Sequence, residues 1–121
     1  LLPHFEPYLW MHQHNRYMSN YDYQRTLLLL NKTPHTANDI VMLVENEAIA
    51  SPLATLHYTY YDNMESALHT CKTQADKIQC IAASVNAPFF DNSMVPLGQT
   101  QQPRLSDYAD GGDTVQFLLG L

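Results

Sequence analysis

The stretch Leu53-Ala54-Thr55-Leu56-His57-Tyr58-Thr59-Tyr60-Tyr61 runs into Asp62-Asn63-Met64-Glu65-Ser66-Ala67-Leu68-His69-Thr70-Cys71-Lys72-Thr73-Gln74 and then reaches Ile78-Gln79-Cys80-Ile81-Ala82-Ala83. Its reading decides the expected fold. Leu56, Tyr58 and Tyr60 alternate with Thr55, His57 and Thr59, the period of a strand with two unlike faces. Asp62 stands at an N-cap position and Glu65 follows three residues on, as in a capping box. Met64, Ala67, Leu68, Cys71 and Ala75 then share one helical face, and Ile78 to Ala83 is again strand-like. Strand, helix and strand make one βαβ unit, so the strands near Leu53–Tyr61 and Ile78–Ala83 are expected to pair in parallel through a helix near Asn63–Gln74.

Working back towards the N-terminus, Ile40 to Val44 is a continuous apolar run rich in β-branched residues and predicts a fully buried strand. Pro34 ends the element before it. That element is a helix from about Tyr21 to Asn31, capped by Asn20, with Tyr23, Leu27 and Leu30 on one face and Leu28 and Leu29 widening it. Phe5, Tyr8, Leu9, Met11 and Met18 suggest a further helix before it, with Pro7 in its first turn. Beyond Ser84 the chain loosens, with Pro88, Pro96, Gly98 and Pro103 as breakers. Asp113 is placed to cap a last turn carrying Val115, Leu118 and Leu119.

The chain has 121 residues, the size of one small domain. Its composition, 45 % apolar and 15 % charged, is that of a folded chain rather than a disordered one. The apolar runs Leu27–Leu30 and Ile40–Val44 fall far short of the roughly 20 residues of a membrane span. The net charge is −6 and the six basic residues are scattered, which argues against nucleic acid as a partner. Cys71 and Cys80 form no CxxC motif, and so few cysteines fit a reducing cytoplasm. The opening Leu1-Leu2-Pro3-His4 carries neither Met nor a basic leader, and we expect a longer polypeptide.

Residues able to do chemistry each have a structural reading beside the functional one. His12 and His14 flank Gln13 near Asp22, but i and i+2 diverge on a helix, so no metal site is expected. Cys71 and Cys80 lack an adjacent base or cation and read as packing residues. Asp107, Asp110 and Asp113 recur every third residue and could bind a cation, but loop solvation and helix capping are the expected uses. There is no G-x-G-x-x-G, so Gly98, Gly111 and Gly112 give no dinucleotide fingerprint. Glu45 and Glu47 lie just past the Ile40–Val44 run, where a carboxylate meets a ligand outside the ends of strands.

Three stretches carry a resemblance. They are His14-Asn15-Arg16-Tyr17-Met18-Ser19-Asn20-Tyr21-Asp22-Tyr23; Leu43-Val44-Glu45-Asn46-Glu47-Ala48-Ile49-Ala50-Ser51-Pro52-Leu53-Ala54-Thr55-Leu56; and Val95-Pro96-Leu97-Gly98-Gln99-Thr100-Gln101-Gln102-Pro103-Arg104-Leu105-Ser106-Asp107-Tyr108-Ala109-Asp110-Gly111. In this order they resemble the C-terminal third of bacterial acyl-CoA reductases, relatives of the bioluminescence long-chain fatty-acid reductase in the aldehyde dehydrogenase superfamily. The resemblance implies an α/β fold: the C-terminal part of an aldehyde-dehydrogenase-like catalytic domain, with N-terminal helices, a βαβ unit and an irregular C-terminal segment. Residues 1–121 would then be a single partial domain.

The superfamily's Glu-Ile-Phe-Gly-Pro stretch holds the nicotinamide ribose through its glutamate. Glu47 of Glu47-Ala48-Ile49-Ala50-Ser51-Pro52 is the nearest match, with one extra residue before the proline and no aromatic; Glu45 is the alternative. The family reduces acyl-CoA to aldehyde through an acyl-cysteine, with hydride from NADPH or NADH. Both that cysteine and the dinucleotide-binding domain lie upstream of the matched region in the family. No catalytic residue is therefore expected in this chain, and no cofactor is expected to bind it alone. Self-association, or packing against upstream parts, is the expected partnership. The alternative is a non-catalytic interaction or oligomerisation module derived from the same fold.

Overall fold

The computed structural model describes residues 1–88, 94–102 and 114–120. The chain divides into two compact units, Leu1–Tyr60 and Tyr61–Leu121. Helices and two small sheets together make a mixed α/β molecule. No helix among the described residues is long and apolar enough to cross a membrane.

The first unit opens with a 3₁₀ helix, Leu2–Gln13, in place of the α-helix expected from Phe5 to Met18. Such runs rarely exceed a few residues. Here Phe5, Tyr8 and Met11 recur every third position, the repeat that a 3₁₀ helix brings onto one line. His14 ends the segment and caps helix α1, Asn15–Leu30; its Nδ1 accepts the Tyr17 N–H at 3.2 Å. The helix thus starts earlier than an Asn20 cap predicts. Its inward face also differs: Tyr21 is the buried residue, with Tyr17, Met18 and Leu28 packed alongside, while Tyr23, Leu29 and Leu30 are exposed. The tyrosines turn inward because each hydroxyl finds a backbone carbonyl. Tyr17 donates to Ile40 O at 2.7 Å and Tyr21 to Asn38 O.

Helix α1 ends in a Schellman motif. The Thr33 N–H donates to Leu28 O and the Lys32 N–H to Leu29 O, with Lys32 at φ 54° in the left-handed position that glycine normally fills. Strand β1, His35–Ala37, follows and pairs antiparallel with β2, Met42–Glu45. The β2 strand starts later than the Ile40–Val44 run implied. Asn38 Oδ1 instead accepts the N–H groups of Ile40 and Val41 in an Asx turn, so these two residues are buried in a turn rather than in a ladder. Strand β3, Thr55–Tyr58, pairs in parallel with β2, giving the order β1-β2-β3. The core joins Tyr21, Met42 and Ala54, and Met42 is wholly buried.

The second unit contains helix α2, Met64–Thr73, a 3₁₀ turn at Ala75–Lys77, strands β4, Ile81–Ala83, and β5, Met94–Pro96, and helix α3, Thr114–Leu119. Asn63, not Asp62, caps α2: its Oδ1 accepts the Ser66 N–H at 2.9 Å. The expected apolar face is present but shallow, with Met64, Ala67, Leu68 and Cys71 half-buried and Ala75 exposed. The cap expected at Asp113 lies outside the described residues.

The expected βαβ unit is not formed. β3 pairs with β2, and β4 pairs in parallel with β5, so the two strands flanking α2 belong to different sheets. The apolar run before Glu45 needs cover on both sides and takes β3 as its neighbour. On the other side of α2, Gln79 and Cys80 are exposed and only Ile81–Ala83 remains as strand. This removes the β3–α2–β4 order as structural support for an aldehyde-dehydrogenase-like domain.

Candidate functional site

Strands β2 and β3 end side by side, with Glu45 opposite Tyr58. The segment beyond them is held by local bonds. Asn46 N–H donates to Tyr58 O, Asn46 Oδ1 accepts the Ala48 N–H at 2.8 Å, and His57 Nδ1 lies 2.8 Å from Ala48 O. Glu45, the last residue of β2, and Glu47, just past it, are both exposed at the carboxyl end of a parallel pair, where α/β sheets receive ligands. Among the described residues neither carboxylate has a basic partner within 4 Å, so both are free to accept hydrogen bonds from outside.

A second feature lies at the opposite end of β3. Ser51-Pro52 leads into a turn in which the Thr55 N–H donates to Pro52 O. Ala54 sits at the third position of that turn with φ 62°, where a type II turn needs a positive φ. Its carbonyl accepts the Met42 N–H at 2.9 Å, which fixes the turn to the sheet. Beside it opens a cleft of about 420 Å³. Phe5, Tyr8 and Met11 of the 3₁₀ segment line it, with Tyr17 of α1. Ile40, Val41, Ala54, Thr55 and Leu56 complete the lining. None of these side chains carries a formal charge.

The burial of β3 is unusual. Thr55 is 5 % exposed, while Leu56 and Tyr58 on the other side of the strand are each 39 % exposed. The strand thus turns its polar side inward. The Thr55 Oγ1 is buried without a hydrogen-bond partner. A water-excluded hydroxyl left unpaired costs about 1–3 kcal/mol. Desolvation raises the Tyr17 phenol above 10.0, with Tyr21 adding to the rise. Tyr21 is raised chiefly by burial, against an opposing pull from Arg25.

The remaining candidates stay apart. His14 is a helix cap, and His12 Nε2 lies 3.9 Å from Asp39 Oδ2 in an exposed, long pair. No group of three metal-binding side chains occurs among the described residues. Cys71 is half-buried, but Cys80 is exposed, which corrects its reading as a packing residue. Asp107, Asp110 and Asp113, with Gly111 and Gly112, lie outside the described residues. The cleft was missed from sequence, although its signal was the three-residue repeat Phe5, Tyr8, Met11, which a 3.6-residue search passes over.

No protein-family model, no curated protein and no solved structure matches this chain.

Proposed function

We propose that the chain is the C-terminal portion of an acyl-CoA reductase of the aldehyde dehydrogenase superfamily, reducing acyl thioesters to aldehydes with NADPH or NADH. The nucleophilic cysteine and the dinucleotide-binding domain belong to the longer polypeptide. The observation that carries the proposal is the place of Glu47 and Glu45. They fall within the second of the resembling stretches, Glu45 as the last residue of β2 and Glu47 just past the carboxyl ends of the parallel pair β2–β3. A carboxylate there suits the two hydroxyls of a ribose, which it would accept as a pair of hydrogen bonds. Exposed Leu29, Leu30 and Tyr23 on α1 are in keeping with packing against further protein.

The experiment has two arms. The isolated 121-residue chain is expected to show no thioester-dependent oxidation of NADPH; turnover lost on Cys71→Ala or Cys80→Ala would overturn the proposal. In the longer polypeptide, Glu47→Gln is expected to raise the KM for NADPH about tenfold, the effect of weakening a charge-assisted hydrogen bond. An effect of Glu45→Gln in its place assigns the ribose contact to Glu45. No effect of either, or an upstream reading frame without a cysteine and a dinucleotide-binding domain, favours a non-catalytic interaction module.

A further inference from the structure

We propose that His57 is a positioning residue for Glu47: its ring, held as the Nδ1–H tautomer, fixes the backbone on which the Glu47 carboxylate is presented. The functional half of this inference rests on the ribose reading of Glu47; the structural half stands without it.

Glu47 lies between two residues that are each tied to β3. On one side the Asn46 N–H donates to Tyr58 O at 3.0 Å, which continues the β2–β3 ladder by one step. On the other side Ala48 is held at both of its main-chain groups. Its N–H donates to Asn46 Oδ1, and its carbonyl oxygen lies 2.8 Å from His57 Nδ1. A carbonyl oxygen can only accept, so the proton of that bond sits on Nδ1. The other histidine bonds are local. His4 and His35 set Nδ1 against carbonyls three and two residues away, and His14 Nδ1 accepts the Tyr17 N–H as a helix cap. The His57 bond spans nine residues and joins the segment after β2 to β3. The Asn46 side chain bonds within the segment, so without His57 the Ala48 side of Glu47 is tied only to Asn46. Glu45 differs. It is the last residue of β2 and is held by the ladder opposite Tyr58. Loss of His57 therefore loosens Glu47 and leaves Glu45 in place.

The test has two arms. The first uses the 121-residue chain and no ligand. Nitrogen NMR of the imidazole rings, at a pH where imidazole is neutral, is expected to show the His57 proton on Nδ1 and, in the same spectrum, the His14 proton on Nε2. The Glu47 amide is expected to have an order parameter of about 0.85, falling below about 0.6 in His57→Leu. His57→Asn, whose side-chain N–H takes the place of Nδ1–H, is expected to keep it rigid. The second arm uses the longer polypeptide. There His57→Leu is expected to raise the KM for NADPH about three- to tenfold with kcat unchanged, and His57→Asn to stay within about twofold. A His57 proton on Nε2, or an unchanged Glu47 order parameter in His57→Leu, would overturn the positioning role. So would an unaltered KM in His57→Leu where Glu47→Gln raises it. The tautomer needs no variant and carries the test if His57→Leu does not fold. If neither Glu47→Gln nor His57→Leu moves the KM while the first arm holds, Glu47 is not the ribose contact: the functional half falls with that reading, and the structural half stands.

Discussion

In the first unit Tyr21, Ile40, Val41, Met42, Val44, Ala54 and Thr55 are buried; among the described residues of the second unit only Ala83 and Met94 are. Both units contain a helix and a parallel strand pair, so the contrast does not come from the kind of element. It comes from what covers them. The first unit sets sixteen residues of α1 against a three-stranded sheet, and two tyrosine hydroxyls anchor the turn before its central strand. Among its described residues the second has a ten-residue helix with no buried residue, the short helix α3 and a two-stranded sheet of three-residue strands. Such a ribbon is marginal without further cover. An amphipathic pattern in sequence states that a face seeks burial, not that the chain supplies the other side.

The largest expected effect follows directly. Met42→Ala should destabilise the first unit by about 2–5 kcal/mol, because a fully buried side chain leaves a cavity behind. Leu68→Ala on the half-buried face of α2 should cost less, about 1–2 kcal/mol, since part of that surface is already in water. Urea unfolding followed by backbone hydrogen exchange reads both. Comparable losses for the two variants would mean that α2 is covered as deeply as β2.

The same contrast explains what could be read from sequence. Elements with a strong local signal were legible: the β-branched run before Glu45, the alternation from Thr55 to Tyr58, the helical face of Met64, Ala67, Leu68 and Cys71, and a last helix carrying Val115 and Leu118. Pairing was not legible, because β4 is too short for its neighbour to be specified by pattern alone. Nor was the inward face of α1. Apolarity favoured Leu30 and Tyr23, whereas the hydrogen bonds from Tyr17 and Tyr21 to carbonyls 23 and 17 residues away set the rotation. Of the candidate sites, Glu45 and Glu47 lie at the strand ends as expected. The cleft depends on Thr55 facing inward, and alternation gives two faces without saying which one is buried.

Those two tyrosines give the first unit a pH dependence of its own. Burial raises both phenols above 10.0, so each is more easily ionised in the unfolded chain than in the folded one. The folded state then holds more protons, and its stability falls as pH rises through the unfolded value of about 10 and on to the higher folded value. The contribution is fully present below that window. The expected outcome is alkaline loosening that begins in the first unit, with Tyr17→Phe and Tyr21→Phe flattening the slope. Each substitution should also cost about 0.5–1.5 kcal/mol at neutral pH for the lost hydrogen bond. Hydrogen exchange at pH 7 and pH 10.5 checks this; a first unit that retains its protection at the higher pH in the unsubstituted chain would contradict it.

The smallest effect separates two kinds of strain within the first unit. Lys32 and Ala54 both have positive φ, 54° and 62°, and the left-handed region costs a residue with a Cβ about 1–2 kcal/mol. Glycine removes that cost but adds about 0.5–1 kcal/mol of unfolded-state entropy. At Lys32 nothing else changes, because the side chain is exposed and the Schellman bonds use backbone atoms alone. Lys32→Gly should therefore stabilise the chain by about 0.5–1 kcal/mol. Ala54 differs in that its methyl group lies in the core with Tyr21 and Met42, and removing a buried methyl forfeits about 0.8 kcal/mol. Strain relief and lost packing then nearly cancel, and Ala54→Gly should leave stability within about 0.5 kcal/mol of the unsubstituted chain. Matched urea titrations of the two variants decide the point. If Ala54→Gly gains as much as Lys32→Gly, the Ala54 methyl contributes nothing to the core, and the turn before β3 is held by its hydrogen bonds to Met42 and Pro52 alone.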